Sequence, residues 1–127
     1  MPIVSISLND EILENMDKIQ KDLGFSGRSE VIRAGVRMLI ADSKEKEELI
    51  GETRAILLLT RDKKAESVTS RIKHKFVNIT KTQIIDHVRE DKFLEIFVLD
   101  GDADAIKEMY RQFITSRKME YIKLIIA

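Results

Sequence analysis

Hydrophobic and polar positions alternate over the first eight residues and then change period. Val4, Ile6 and Leu8 fall on one side and Ile3, Ser5 and Ser7 on the other, the period-2 pattern of a short strand. From Asn9 onward Ile12, Leu13, Met16, Ile19 and Leu23 recur at helical spacing, with Asn9 as N-cap and Asp10 and Glu11 in the first turn. Gly24 predicts the end of that helix, because it tolerates positive φ. Ser26 is the expected N-cap of a second helix through Val31, Ile32, Val36, Leu39 and Ile40. The strand has no hairpin partner nearby, which leaves both of its edges unpaired. A strand and two helices also make a unit too small to hold much core alone. Both facts point to the same segment of a second copy, paired antiparallel about a two-fold axis. A two-stranded ribbon of that kind fits the major groove of DNA.

The charged stretch 43–51 closes with Gly51 and either extends the second helix or acts as a linker. The expected division is a first domain over 1–44, a linker over 45–52 and a second domain over 53–127. In the second half, Ala55–Leu59 is a continuous apolar run that suits a strand buried on both faces or nearly so. A charged loop at Arg61–Lys64 leads to a helix over about Ala65–Val77, with Val68, Ile72 and Phe76 inward. Thr82–Val88 and Phe93–Leu99 read as strands around a turn at Glu90, Asp91 and Lys92. Gly101 is expected to break the second of these, and Asp102 to cap a helix carrying Ile106, Met109, Tyr110, Phe113 and Ile114. Glu120–Ile126 supplies a last strand. The order is βαββαβ, a split-βαβ sandwich, so the fold class is α+β. That fold alone assigns no task.

Composition narrows the field. Hydrophobic residues make up 43% of the 127, and no run approaches the roughly 18 apolar residues of a membrane span. There is no cysteine, hence no disulfide framework and no thiolate metal site. The start lacks the layout of a signal peptide, which fits a cytoplasmic protein. Net charge is zero, and residues 1–42 carry five basic against seven acidic side chains. That sum argues against a nucleic-acid partner, but the face that carries each charge matters more. The acids gather on the first helix and the arginines on the second.

Val4-Ser-Ile-Ser-Leu-Asn and Gly24-Phe-Ser-Gly-Arg-Ser-Glu-Val-Ile-Arg33 resemble the ribbon-helix-helix repressors of the CopG type. Joined to a βαββαβ half containing Leu94-Glu-Ile-Phe-Val-Leu-Asp-Gly-Asp102, the whole chain resembles the nickel-responsive regulators (NikR) of bacteria and archaea. The resemblance implies a ferredoxin-like, ACT-type second domain. It also implies a homotetramer, a dimer of dimers, in which two ribbons flank a core of four C-terminal domains. On the matching positions Ile3, Ser5 and Ser7 would face the bases of double-stranded DNA. Their alternation with Val4, Ile6 and Leu8 agrees with that. Serine hydroxyls donate or accept, and isoleucine contacts a thymine methyl, but a set without arginine leaves more of the readout to DNA shape. Arg28 and Ser29, at the start of the second helix, would contact phosphate.

The same resemblance implies a square-planar nickel site of three histidines and one cysteine, and here only part of it survives. His87 stands at one histidine of the family's His-x-His pair, and His74 at the histidine donated by a neighbouring subunit. Ile85 and Phe93 stand where the other histidine and the cysteine belong. Neither offers a lone pair, and square-planar Ni(II) favours nitrogen and thiolate donors. Two histidines with Glu90 or Asp91 could hold a metal of another geometry, such as zinc, whereas Asp86 alternates to the opposite face. Ordinary polar roles at an interface suit both histidines better. The expectation is a transcriptional regulator, a repressor by class, with nickel response in doubt and a small metabolite as another effector. No nucleophile elbow, phosphate loop or His-Glu-x-x-His motif is present, so no enzyme is expected. An antitoxin-type interaction module is the alternative, although antitoxin tails are disordered until bound and residues 52–127 read as folded.

Overall fold

The computed structural model describes residues 1–127. The chain divides into two compact units, Met1–Glu47 and Glu48–Ala127. In the first, helix α1 spans Asp10–Leu23 and helix α2 spans Arg28–Glu47. Asn9 caps α1 by accepting the N–H of Ile12 at 2.8 Å, and Gly24 ends it at φ 73°. Gly24 then lets the N–H of Phe25 return to the carbonyl of Gln20, closing the last turn.

The structure bears on three expectations for this unit and corrects one, the Ser26 cap. Met1–Asn9 has no regular secondary structure within its own chain. A ladder needs a second strand, and no other segment of this chain supplies one. The helix cap lies one residue later than Ser26: the carbonyl of Gly27 accepts from Val31, at the N-cap position. Ser26 instead gives its N–H and its hydroxyl to the Glu30 carboxylate, a capping contact made from outside the helix. The charged stretch to Glu47 is helix, since it contains no glycine or proline to stop α2.

The second unit is an α+β sandwich. Strand β1 (Glu52–Asp62), helix α3 (Glu66–Lys75), β2 (Thr80–Arg89), β3 (Lys92–Asp102), α4 (Ala103–Ser116) and β4 (Met119–Ile126) follow in order. The sheet order is β2-β3-β1-β4, with every pairing antiparallel. Ala55, Leu57, Leu59, Phe97, Leu99 and Leu124 on one sheet face pack with Ile72 of α3 and Ile106, Met109 and Phe113 of α4. The intervening β1 residues Ile56, Leu58 and Thr60 are half-buried, so β1 has one buried face and one open one. Ile114 is exposed although its spacing put it inward.

Asp102 caps α4 by accepting from Asp104. Gly101 does not break β3, which runs on to Asp102. Its lack of a side chain serves a close approach: a Cβ there would lie 2.6 Å from Cγ2 of Ile79.

Candidate nucleic-acid interface and the metal-ligand positions

The first unit exposes nearly all of its apolar pattern. Ile3 is 95% exposed, Val4 80% and Ile6 58%. Ile6 and Leu8 line an open apolar groove of about 310 Å³ with Ile12, Met16, Ile19 and Ile32. Its lining is almost wholly carbon, so water gains little there and a further aliphatic layer gains much. Ser5 and Ser7 are exposed and carry the hydroxyls that alternate with these aliphatic residues.

The start of α2 is organised by charge. Arg28 donates Nε and Nη2 to the two carboxylate oxygens of Asp17 on α1, both at 3.0 Å. This forked pair joins the two helices; its members lie 11 residues apart, which hid the pair from sequence reasoning. The hydrogen bond from Arg28, followed by its charge, holds the Asp17 carboxyl below its ordinary range despite some desolvation. Glu30 is likewise lowered, first by the Ser26 hydroxyl and N–H and then by Arg33 and Arg37. Ser29 is exposed in the first turn of α2.

In the second unit three of the positions matched to metal ligands, Ile85, His87 and Phe93, lie on the helix-bearing face of the sheet. The register places His87 opposite Phe93, and Ile85 opposite Glu95. Phe93 in turn lies opposite Arg61 on β1. The His87 imidazole stacks on the Phe93 ring, with centroids 4.7 Å apart and planes 8° from parallel. Its Nε2 donates to the carbonyl of Glu90 at 2.8 Å. His74 sits near the end of α3, in an open depression with Glu66, Ser67, Ser70, Arg71 and Lys75. No three His, Asp or Glu side chains converge to hold an ion. The donor set does not fit square-planar nickel: Ile85 and Phe93 have no lone pair, and the Nε2 of His87 is already bound.

A polar hub lies beneath this row. Arg61 is 1% exposed and Glu95 fully buried. Arg61 Nε donates to Glu95 Oε2 at 2.6 Å, and Nη2 pairs with Glu66. The other Glu95 oxygen accepts from Lys73 and from Gln83, each at 3.0 Å. Burial works against the guanidinium charge, but Glu95 and Glu66 outweigh it and hold the Arg61 pKa above its ordinary value. Sequence reasoning put Arg61 in a loop, because a charge after an apolar run reads as a strand end. The signal that could have placed it is Glu95, an acid at an inward position of an otherwise apolar strand.

An unmated apolar N-terminal segment, two capped helices and an antiparallel α+β unit define the class: a ribbon-helix-helix DNA-binding transcriptional regulator with an appended second domain. Residues 3–43 match the family described as "Ribbon-helix-helix protein, copG family". Residues 57–127 match the "NikR C terminal nickel binding domain". The chain belongs to the NikR family of regulators. A relative from Haloarcula marismortui named "Putative nickel-responsive regulator" is 31% identical over 84% of this chain and 78% of its own length. One of the same name from Methanococcus aeolicus is 29% identical over 98% of this chain and 90% of its own length. Among solved structures, an uncharacterized protein from Thermotoga maritima shares the fold of 59% of this chain and 96% of its own, at TM-score 0.55 and 19% identity. No helix is long and apolar enough to cross a membrane.

Proposed function

We propose that this regulator is a sequence-specific repressor that works as a dimer of dimers on double-stranded DNA. Two copies of the Met1–Leu8 segment mate antiparallel, turning Val4, Ile6 and Leu8 down onto Ile12, Met16 and Ile32. Ile3, Ser5 and Ser7 then face outward and read base edges in the major groove. Ser29, the N–H groups at the start of α2 and Arg28, once released from Asp17, take phosphate oxygens. The observation that carries this reading is the apolar groove beside Ile6 and Leu8, which the chain leaves open on its own.

The second unit supports the joining of dimers. Its sheet face away from the helices presents the aliphatic side chains of Ile56, Leu58, Ile84, Ile96, Val98 and Ile125. Tethered ribbons raise each other's effective concentration on DNA. In this reading the protein acts in the cytoplasm and catalyses nothing.

The test is selection of binding sites from a random duplex library. The wild type enriches a two-fold-symmetric site, and the double variant Ser5→Ala, Ser7→Ala loses about tenfold in preference for it while non-specific binding persists. An enriched site without symmetry, or an unchanged preference in the variant, overturns the base-reading role.

A further inference from the structure

The family's metal ion would join strands by bonding to a ligand on each. In this chain the corresponding positions are joined by something else. His87 on β2, Phe93 on β3 and Arg61 on β1 stand opposite one another in register, a single row across three adjacent strands. The imidazole lies flat on the phenyl ring, and the guanidinium carbon of Arg61 is 4.8 Å from the centre of that ring. Aromatic stacking and the attraction of a cation to a ring face hold such a row together. Both ends are tied down: His87 to the carbonyl of Glu90, and Arg61 to Glu95, Glu66 and the carbonyl of Asp62.

We infer that the His87–Phe93–Arg61 row takes the structural place of a bound metal, so that this regulator binds its DNA in one state that transition metals do not switch. Three observations carry this beyond the missing donors. The row is continuous and its ring contacts are already made within one chain. Beneath the row the buried charges are paired among themselves, Arg61 and Lys73 with Glu95 and Arg61 with Glu66, so the Glu95 carboxylate is already fully engaged. A cation arriving at Phe93 would meet the fixed guanidinium, which its hydrogen bonds to two carboxylates keep from moving aside. A side-chain row cannot be removed by a chelator, so the second unit would set the spacing of the ribbons rather than report a metal. The DNA part of the inference rests on the repressor reading above; the metal part does not.

The experiment uses the full chain, stripped of metal, in two arms read without DNA and one read with it. Nickel and zinc salts are titrated by calorimetry and by thermal melting. We expect no binding tighter than about 100 μM. The melting temperature is expected to stay put, where a micromolar site in hundredfold excess of metal would raise it by about 10 °C or more. Stoichiometric, micromolar or tighter uptake of either metal overturns the inference. In NMR spectra the His87 ring protons are expected upfield, under the Phe93 ring current, and to return to ordinary positions in Phe93→Leu, which keeps an apolar side chain in place. Ordinary positions in the wild type overturn the row. Affinity for the enriched duplex is expected to change less than twofold between nickel and chelator; a tenfold dependence overturns the single-state claim. A protein that binds no duplex under either condition breaks the repressor reading alone, since metal uptake and ring shifts still decide this one.

Discussion

The two units treat their apolar residues in opposite ways. In 48–127, twelve apolar side chains are buried, among them Leu57, Leu59, Ile72, Phe97, Leu99, Ile106, Met109, Phe113 and Leu124. In 1–47 Met16 is the one apolar side chain that is buried, while Ile12, Ile19, Ile32, Val36, Leu39 and Ile40 stay exposed despite their helical spacing. Both halves have clean amphipathic patterns. The difference is that the second pattern is answered within its own chain and the first is not. Periodicity tells which face is to be covered; it does not tell which molecule covers it.

The largest expected effect tests the self-contained side of this comparison. Phe113 is fully buried and lies 6.0 Å from Phe97, ring centre to ring centre. Phe113→Ala removes most of a ring from a packed core, and the cavity left behind adds to the lost transfer energy. We expect the second unit to lose about 3–5 kcal/mol, measured by urea unfolding followed through its tyrosines. A loss below about 1 kcal/mol would mean that this core is loosely packed and that the contrast between the units is smaller than their burial implies.

What the sequence made legible follows the range of the interactions. The caps at Asn9, Gly24 and Asp102 were readable because each acts over a few residues, as the bonds Asn9–Ile12 and Asp102–Asp104 show. The ribbon-helix-helix and NikR-type pattern was readable because it is a local order of such signals. The Arg61–Glu95 pair was not, because its members are 34 residues apart and meet only once β1 and β3 are in register. For the same reason β1 runs to Asp62, through a stretch that read as a charged loop: the guanidinium that should have ended the strand is neutralised inside the sandwich. The Phe93 position was legible as a departure from the nickel ligands. That its ring would bind His87 and Arg61 depended on strand register, which no local rule supplies.

A smaller effect tests the unanswered side. Ile6 is exposed in the single chain, and a charge placed there would ordinarily change stability by less than about 0.5 kcal/mol. If Ile6 belongs under a mated ribbon, Ile6→Asp puts an unpaired carboxylate into a desolvated interface, a far larger cost. Hydrogen exchange on the full chain separates the two cases. We expect alternate amides between Ile3 and Leu8 to be protected in the wild type, increasingly so at higher protein concentration, and to be unprotected in Ile6→Asp. Amides that exchange freely at every concentration in the wild type would mean that the segment is not mated and that the contrast between the units is real in solution.

The smallest effect concerns the forked pair that joins the helices of the first unit. Asp17 and Arg28 are both well exposed, so the pair stabilises little, and salt weakens it further. Its sign with pH is fixed by the lowered carboxyl: the stabilisation is fully present above the ordinary aspartate value of 3.8 and is lost as pH falls through the lower folded value. Arg28, raised by its hydrogen bond to Asp17, stays charged throughout that window. Asp17→Asn should therefore lower the melting temperature slightly at neutral pH and make no difference once the carboxyl is protonated. If the start of α2 takes phosphate as proposed, it should also raise affinity for DNA, because it removes a negative charge beside that helix end and frees the guanidinium. Melting curves over an acid series, paired with binding at two salt concentrations, check both directions. If stability and affinity fell together, Asp17 would be holding Arg28 in the orientation that phosphate requires, and the pair would belong to the binding surface rather than compete with it.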